Sequence, residues 1–242
     1  ELRTTVYPMR VAGAFDCSDQ GINAIWNACA WTQRICSMDA YVDTPWREQA
    51  QWWGDARVQA WNTFHLAGDA RLFRRGIKQI ASQTTPDGLT YGHAPTDAHN
   101  CVLPDFTLIW MLTLWDNYWQ TGSLEPFQRH QNTLRNALDY FRAKISPETG
   151  LLRHDPRYWL FLDWTDLQKT GCPSVYSLWY LHALDRLGQL YQLNGQAEAA
   201  ETLSQQAEGV RDALRKLLTD EGLLRDGYLE SGEMNPECSV HA

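Results

Sequence analysis

The sequence predicts an all-α fold of successive helical hairpins, of the (α/α)6 toroid type, and two observations predict it. Apolar residues recur at the 3.6-residue helical spacing over most of the 242 residues, interrupted by short Gly, Pro and Asp punctuation. A weak repeat then recurs in the connectors: PDGLTYGHAP (86–95), PETGLLRHDP (147–156) and TDEGLLRDGY (219–228). Each copy is an acidic turn, a Gly-Leu step and a short extended piece, so the chain reads as hairpins with similar links that bury their faces by stacking on neighbours. Connectors as long as 84–104 and 144–173 favour closure into a ring over an open solenoid, because loops gathered at one mouth are where such a scaffold keeps its chemistry.

Taken in order, helices are expected near 18–37, 46–67, 69–84, 104–121, 124–144, 173–194 and 196–218, with another starting near 236. Ser18 in SDQGINAIW reads as the N-cap of the first. Thr44 and Pro45 read as the N-cap and first helical position of the second. Gly68 and Gly195 close the second and sixth, and Pro126 sits in a first turn. This is fewer helices than a closed ring of six hairpins requires, so the expectation is an incomplete ring in one domain spanning 1–242, with no internal linker. Such a ring would expose faces that a second copy could cover, which makes a homodimer one expected partner.

The formal charge is −8, from 29 acidic and 21 basic residues, which repels phosphate and argues against a nucleic-acid partner. No apolar run approaches the ~20 residues of a membrane span, so no membrane partner is expected. Six cysteines lie scattered without a CxxC pair and are expected to be free and buried; no histidines share metal spacing, and neither metal nor cofactor is expected. Nothing argues for secretion, and the chain begins without methionine, so localisation is left open with a slight lean to the cytoplasm. Twelve tryptophans, ten tyrosines and seven phenylalanines exceed what packing needs, although roughly four in five are expected in the core.

The stretch VDTPWREQAQWWGDARVQAW (42–61) concentrates that excess around Asp43, Glu48 and Asp55. On one helix Glu48 and Asp55 would share a face, Asp43 would sit before the cap, and Arg47 could fork onto a carboxylate or a hydroxyl pair. Trp46, Trp52, Trp53 and Trp61 offer flat faces for the C–H side of a pyranose. An ordinary amphipathic helix with acids in its first turn and indoles in the core gives the same spacing, so spacing leaves both readings open.

DTPWREQAQWWGD (43–55) resembles the signature of glycoside hydrolase family 78, the α-L-rhamnosidases: Asp43, Pro45, Arg47, Glu48, Trp52 or Trp53, Gly54 and Asp55 match. AGAFDCSDQGINAIWNA (12–28) resembles that family's entry into its catalytic helical domain. The resemblance implies inverting hydrolysis of terminal α-L-rhamnosides without a cofactor. It makes Glu48 the general acid, puts Asp43 and Asp55 on sugar hydroxyls, and counts Arg47 and Trp53 among the substrate contacts. Flanking acids and indoles are surroundings in which a carboxylic acid keeps its proton near neutral pH.

LPDFTLIWMLTLWDNYW (103–119) and WLFLDWTD (159–166) resemble the family's helix after the substrate loop and its Gly-Asp-Trp loop, which adds Asp105, Asp163 and Trp164 to the expected substrate-binding set. Thr44 replaces the usual cysteine, Gln49 stands where longer versions carry a charge, and Leu162 replaces the glycine. The family's general base lies on a later helix, and none of Glu221, Glu230, Glu233 or Glu237 matches it. His93 and His99 flank APTDA in a long connector and could line a pocket. Two rival readings follow: a non-catalytic carbohydrate-binding remnant, or another sugar-active toroid, such as a different inverting glycosidase or an epimerase in which histidines would move the proton.

Overall fold

The computed structural model describes residues 5–98 and 101–239. The first helix, α1 (Gln20–Ile35), is capped by Asp19, whose carboxylate accepts from the amides of Gly21 and Ile22. The cap therefore falls one residue later than Ser18, where a charged acceptor meets the positive end of the helix. The next, α2 (Trp53–Ala67), starts seven residues later than expected. Thr44 and Pro45 do open a helical turn, and the Glu48 amide donates to Thr44 Oγ1 at 3.2 Å. Gln49 then turns left-handed (φ 54°) and ends it. The chain returns along Asp43, which accepts the Ala50 amide on its side chain and donates its own amide to the Ala50 carbonyl, both at 3.0 Å.

Beyond it come α3 (Arg71–Ala81), α4 (Pro104–Thr121), α5 (Glu125–Arg129) and α6 (Gln131–Ala143). The expected helix over 124–144 is thus two, divided at His130, whose ring turns in against Trp110. A two-residue strand β1 (Cys172–Pro173) leads into α7 (Ser174–Leu193) and α8 (Ala197–Arg215), followed by β2 (Gly227–Tyr228) and β3 (Met234–Asn235). The strands form one antiparallel sheet in the order β1-β2-β3, with Cys172 opposite Tyr228 and Tyr228 opposite Met234. That pairing occupies the stretch before 236, and residues 236–238 are not helical; a helix continuing past 239 lies outside the described residues.

Helices α2, α4 and α7 pack side by side as an inner layer, with α3 behind α4 and α8 behind α7. The sequence dictates the layers. Helix α4 is buried on nearly every side (Phe106, Leu108, Trp110, Met111, Leu112, Leu114), as an inner helix must be. By contrast α8 buries one stripe, Ala200, Leu203, Ala207, Val210 and Leu214, and exposes its charges. Gly68 and Gly195 take the left-handed conformation at helix ends, as expected.

The connector repeat is a repeated structure. Gly88, Gly150 and Gly222 are all left-handed (φ 106°, 75° and 81°), and each tops a turn closed by one antiparallel bridge: Thr84 with Thr90, Ile145 with Leu152, Leu218 with Leu224. The first two turns then tie to the inner layer at the same place, the Thr90 amide donating to Thr107 Oγ1 in α4 and the Leu152 amide to Ser177 Oγ in α7. These ties set the N-terminal ends of α4 and α7 beside the connectors, at one mouth.

The six cysteines are free, but only Cys36 and Cys172 are buried, and Cys29 is exposed. The aromatic residues are also less buried than expected. Trp53 and Trp110 are the fully buried indoles, whereas Trp31, Trp46, Trp119, Trp159 and Trp164 are exposed. Of these, Trp159 and Trp164 line the cavity at the mouth. No helix among the described residues is long and apolar enough to cross a membrane.

Candidate active site

A cavity of about 690 Å³ opens at the mouth, and Asp43, Glu48, Asp55, Asp105, Asp163 and Trp164 all line it. Asp43 comes from the strap before α2, Glu48 from the end of the Thr44 turn, and Asp55 from the first turn of α2. Glu48 Oε2 accepts from the indole Nε1 of Trp52 at 2.7 Å. Trp52 is itself fixed edge-on between His93, centroid distance 4.4 Å, and Phe106, at 6.0 Å. The acid is therefore oriented by a tryptophan held on both sides.

The carboxyls answer to burial differently. Asp55 reaches solvent, yet the concave wall around it removes enough water to raise its pKa above the usual carboxylate range, and Asp43, Glu48 and Asp163 add repulsion. Asp105 is only 3% exposed, and burial pushes its pKa up to about 6, against the pull of two backbone amides. Those amides are Leu162 N at 3.0 Å and Phe161 N at 3.3 Å, so both Asp105 oxygens are occupied by the loop instead of being presented to a ligand. His93 is half-buried behind Trp52, and desolvation lowers its pKa while Asp43 and Glu48 oppose that.

An aromatic wall on the loop before α7 lines the same cavity. Trp159 and Phe161 lie 5.2 Å apart, as do Phe161 and Trp164. The loop is clamped from outside, where Tyr158 donates to Asp87 at 2.8 Å and Arg157 bridges Asp87 and the buried Asp155.

Two of the expected contacts lie elsewhere. Trp53 is in the core, stacked on Phe73 at 5.8 Å with Nε1 donating to Thr113. Because α2 begins at Trp53, that residue shares the inward stripe of Ala56, Ala60 and Thr63, and Trp52 faces the cavity in its place. The spacing 53, 56, 60, 63 carried that signal. Arg47 is exposed on the turn and is not a lining residue. Trp159, Phe161, Phe106 and Trp179 line the cavity without having been singled out. His99 lies outside the described residues. Among the described residues no three of His, Cys, Asp and Glu converge as a metal site would require.

Inner and outer helices with acids and flat aromatic faces gathered in one cavity at the mouth define a glycosidase-type helical domain. Residues 10–232 match the family model described as the bacterial alpha-L-rhamnosidase 6 hairpin glycosidase domain, and the chain belongs to that family. Among solved structures it is similar to the GH78 family rhamnosidase of Bacillus sp. GL1, with a TM-score of 0.88 and 24% identity over 96% of this chain and 24% of that one. It is also similar to a rhamnosidase from Klebsiella oxytoca with rhamnose bound (TM-score 0.80, 21% identity, 93% of this chain and 44% of that one). A third likeness is to the Streptomyces avermitilis alpha-L-rhamnosidase complexed with L-rhamnose (TM-score 0.74, 18% identity, 90% of this chain and 21% of that one). The chain thus spans between about a fifth and under a half of the length of these structures, and the likenesses speak to fold. No curated protein matches it.

Proposed function

We propose that the cavity is the acid side of an inverting α-L-rhamnosidase site, with Glu48 as the general acid that protonates the departing glycosidic oxygen. The observation that carries this reading is the placement of Asp43, Glu48 and Asp55 around one cavity, with Glu48 held by the Trp52 indole. In it, Asp43 and Asp55 accept from sugar hydroxyls, and Asp163 stands across the cavity on the loop. Trp52 and Trp164 offer apolar faces to the C–H side of the ring. The indole donating to Glu48 fixes one oxygen, so the other carries the proton toward the leaving group. On this reading the carboxylate that activates the attacking water is not assigned to any of these residues. Substrates on this reading are rhamnose-containing glycosides or oligosaccharides.

Binding and chemistry separate experimentally. Titration of the intrinsic tryptophan fluorescence with L-rhamnose should give saturable binding to this chain. Asp55→Asn should weaken it by roughly 1–3 kcal/mol, the worth of a charged hydrogen bond, and Glu48→Gln should leave it nearly unchanged. Equal binding by wild type and Asp55→Asn would contradict the placement of the sugar.

A further inference from the structure

The loop that carries the aromatic wall passes through two consecutive left-handed residues, Leu162 (φ 44°) and Asp163 (φ 67°). Neither is glycine. A left-handed leucine brings its Cβ against the following carbonyl, and such a conformation persists only where the surroundings over-determine it. The loop's own bonds are short-range: Asp163 Oδ1 accepts the Trp164 amide at 2.7 Å, and Thr165 Oγ1 donates to the Leu162 carbonyl at 3.3 Å. Lys169, six residues on, donates to the Asp163 carbonyl at 2.7 Å. Asp105 differs in kind, because it reaches the loop from the first turn of the buried helix α4 and grips the amides of Phe161 and Leu162, one on each oxygen. A carboxylate can accept from two adjacent amides at once, whereas an asparagine offers one oxygen and turns an N–H2 toward the second amide.

We propose that Asp105 is a positioning residue, which holds the left-handed turn at Leu162 and Asp163 and through it keeps the Trp159, Phe161 and Trp164 rings facing the acids of the cavity. Its buried carboxylate is then retained for the loop and does not touch the sugar. The consequence for turnover rests on the reading of the cavity as the rhamnoside site; the loop's order can be measured with no sugar present.

The test is fluorine NMR of the chain labelled with 5-fluorotryptophan, with the Trp159 and Trp164 resonances assigned from Trp→Phe variants. Asp105→Asn should move both resonances toward that of Trp46, the 91% exposed indole, and leave those of Trp53 and Trp110 in place. Adding Leu162→Gly to Asp105→Asn should return them toward their wild-type positions, because glycine needs no holding at positive φ. Adding Leu162→Ala should not, although it also removes the leucine side chain beyond Cβ. The proposal is overturned if Asp105→Asn leaves the two resonances unmoved, if it shifts the core resonances as well, or if the glycine and alanine double variants behave alike. Failure of rhamnose to bind would count against the sugar site and leave this result standing.

Discussion

Asp55 and Asp105 each begin a helix within the same cavity wall, and burial raises the pKa of both, yet they carry opposite consequences for recognition. Asp55 is exposed at the cavity, whereas Asp105, in the wall of the same cavity, is only 3% exposed and has both oxygens on loop amides. A carboxyl whose pKa is raised in the folded protein stabilises it while protonated, so the contribution is present below the unfolded value near 4 and is lost as pH rises through about 6. The amide introduced by Asp105→Asn does not titrate. The melting temperature of that variant relative to wild type should therefore rise between pH 4 and pH 7, and a difference that is flat or falls over that window would contradict the assignment. The ion-paired carboxyls have the opposite sign. Arg71 beside Asp69 holds that group down to about 2, so its contribution is present above pH 4 and disappears only as pH falls through 2, outside the window.

At the scale of elements, the connectors carry a comparison between three copies of one turn. Gly222 is left-handed with open space around it, so Gly222→Ala should cost about 1–2 kcal/mol, the strain of a left-handed alanine alone. At Gly88 a Cβ would also sit 2.5 Å from the Asn136 carbonyl oxygen, so Gly88→Ala should cost distinctly more, and equal losses in urea unfolding would contradict the close approach. These turns were legible in the sequence because a Gly-Leu step recurs just after an acid in each copy, and the glycine meets a positive-φ requirement at all three. The Thr44–Glu48 turn was only half legible: Thr and Pro signal a helix start correctly, but nothing in Gln49 announces the left-handed conformation that ends it after one turn. The turn at Gln49 starts the four-residue link that separates Glu48 from α2, so the two acids meet across a bend instead of along one helix face. Moving the helix start to Trp53 also exchanged the roles of Trp52 and Trp53.

For the whole molecule, the fold class was readable because apolar residues keep the helical spacing, the connectors between helices repeat, and long connectors marked the mouth. The site was readable in part. Asp43, Glu48, Asp55, Asp105, Asp163 and Trp164 reach one cavity, but the aromatic wall was not foreseen, since its rings are brought together by a loop with no periodicity to betray its course. Clamping that loop from α4 and from Asp87 joins two connectors into one rim. If Glu48 delivers the proton to the leaving group, the rate must depend on how badly that group needs one. An alkoxide leaves poorly without a proton, whereas p-nitrophenolate leaves readily. The measurement is kcat/KM for an alkyl α-L-rhamnoside and for p-nitrophenyl α-L-rhamnoside, for wild type and Glu48→Gln of a protein that turns both over. Glu48→Gln should lose about 10²–10⁴-fold on the alkyl substrate, the usual worth of a general acid, and much less on the nitrophenyl one. Equal losses on the two substrates, or no loss on either, would contradict it.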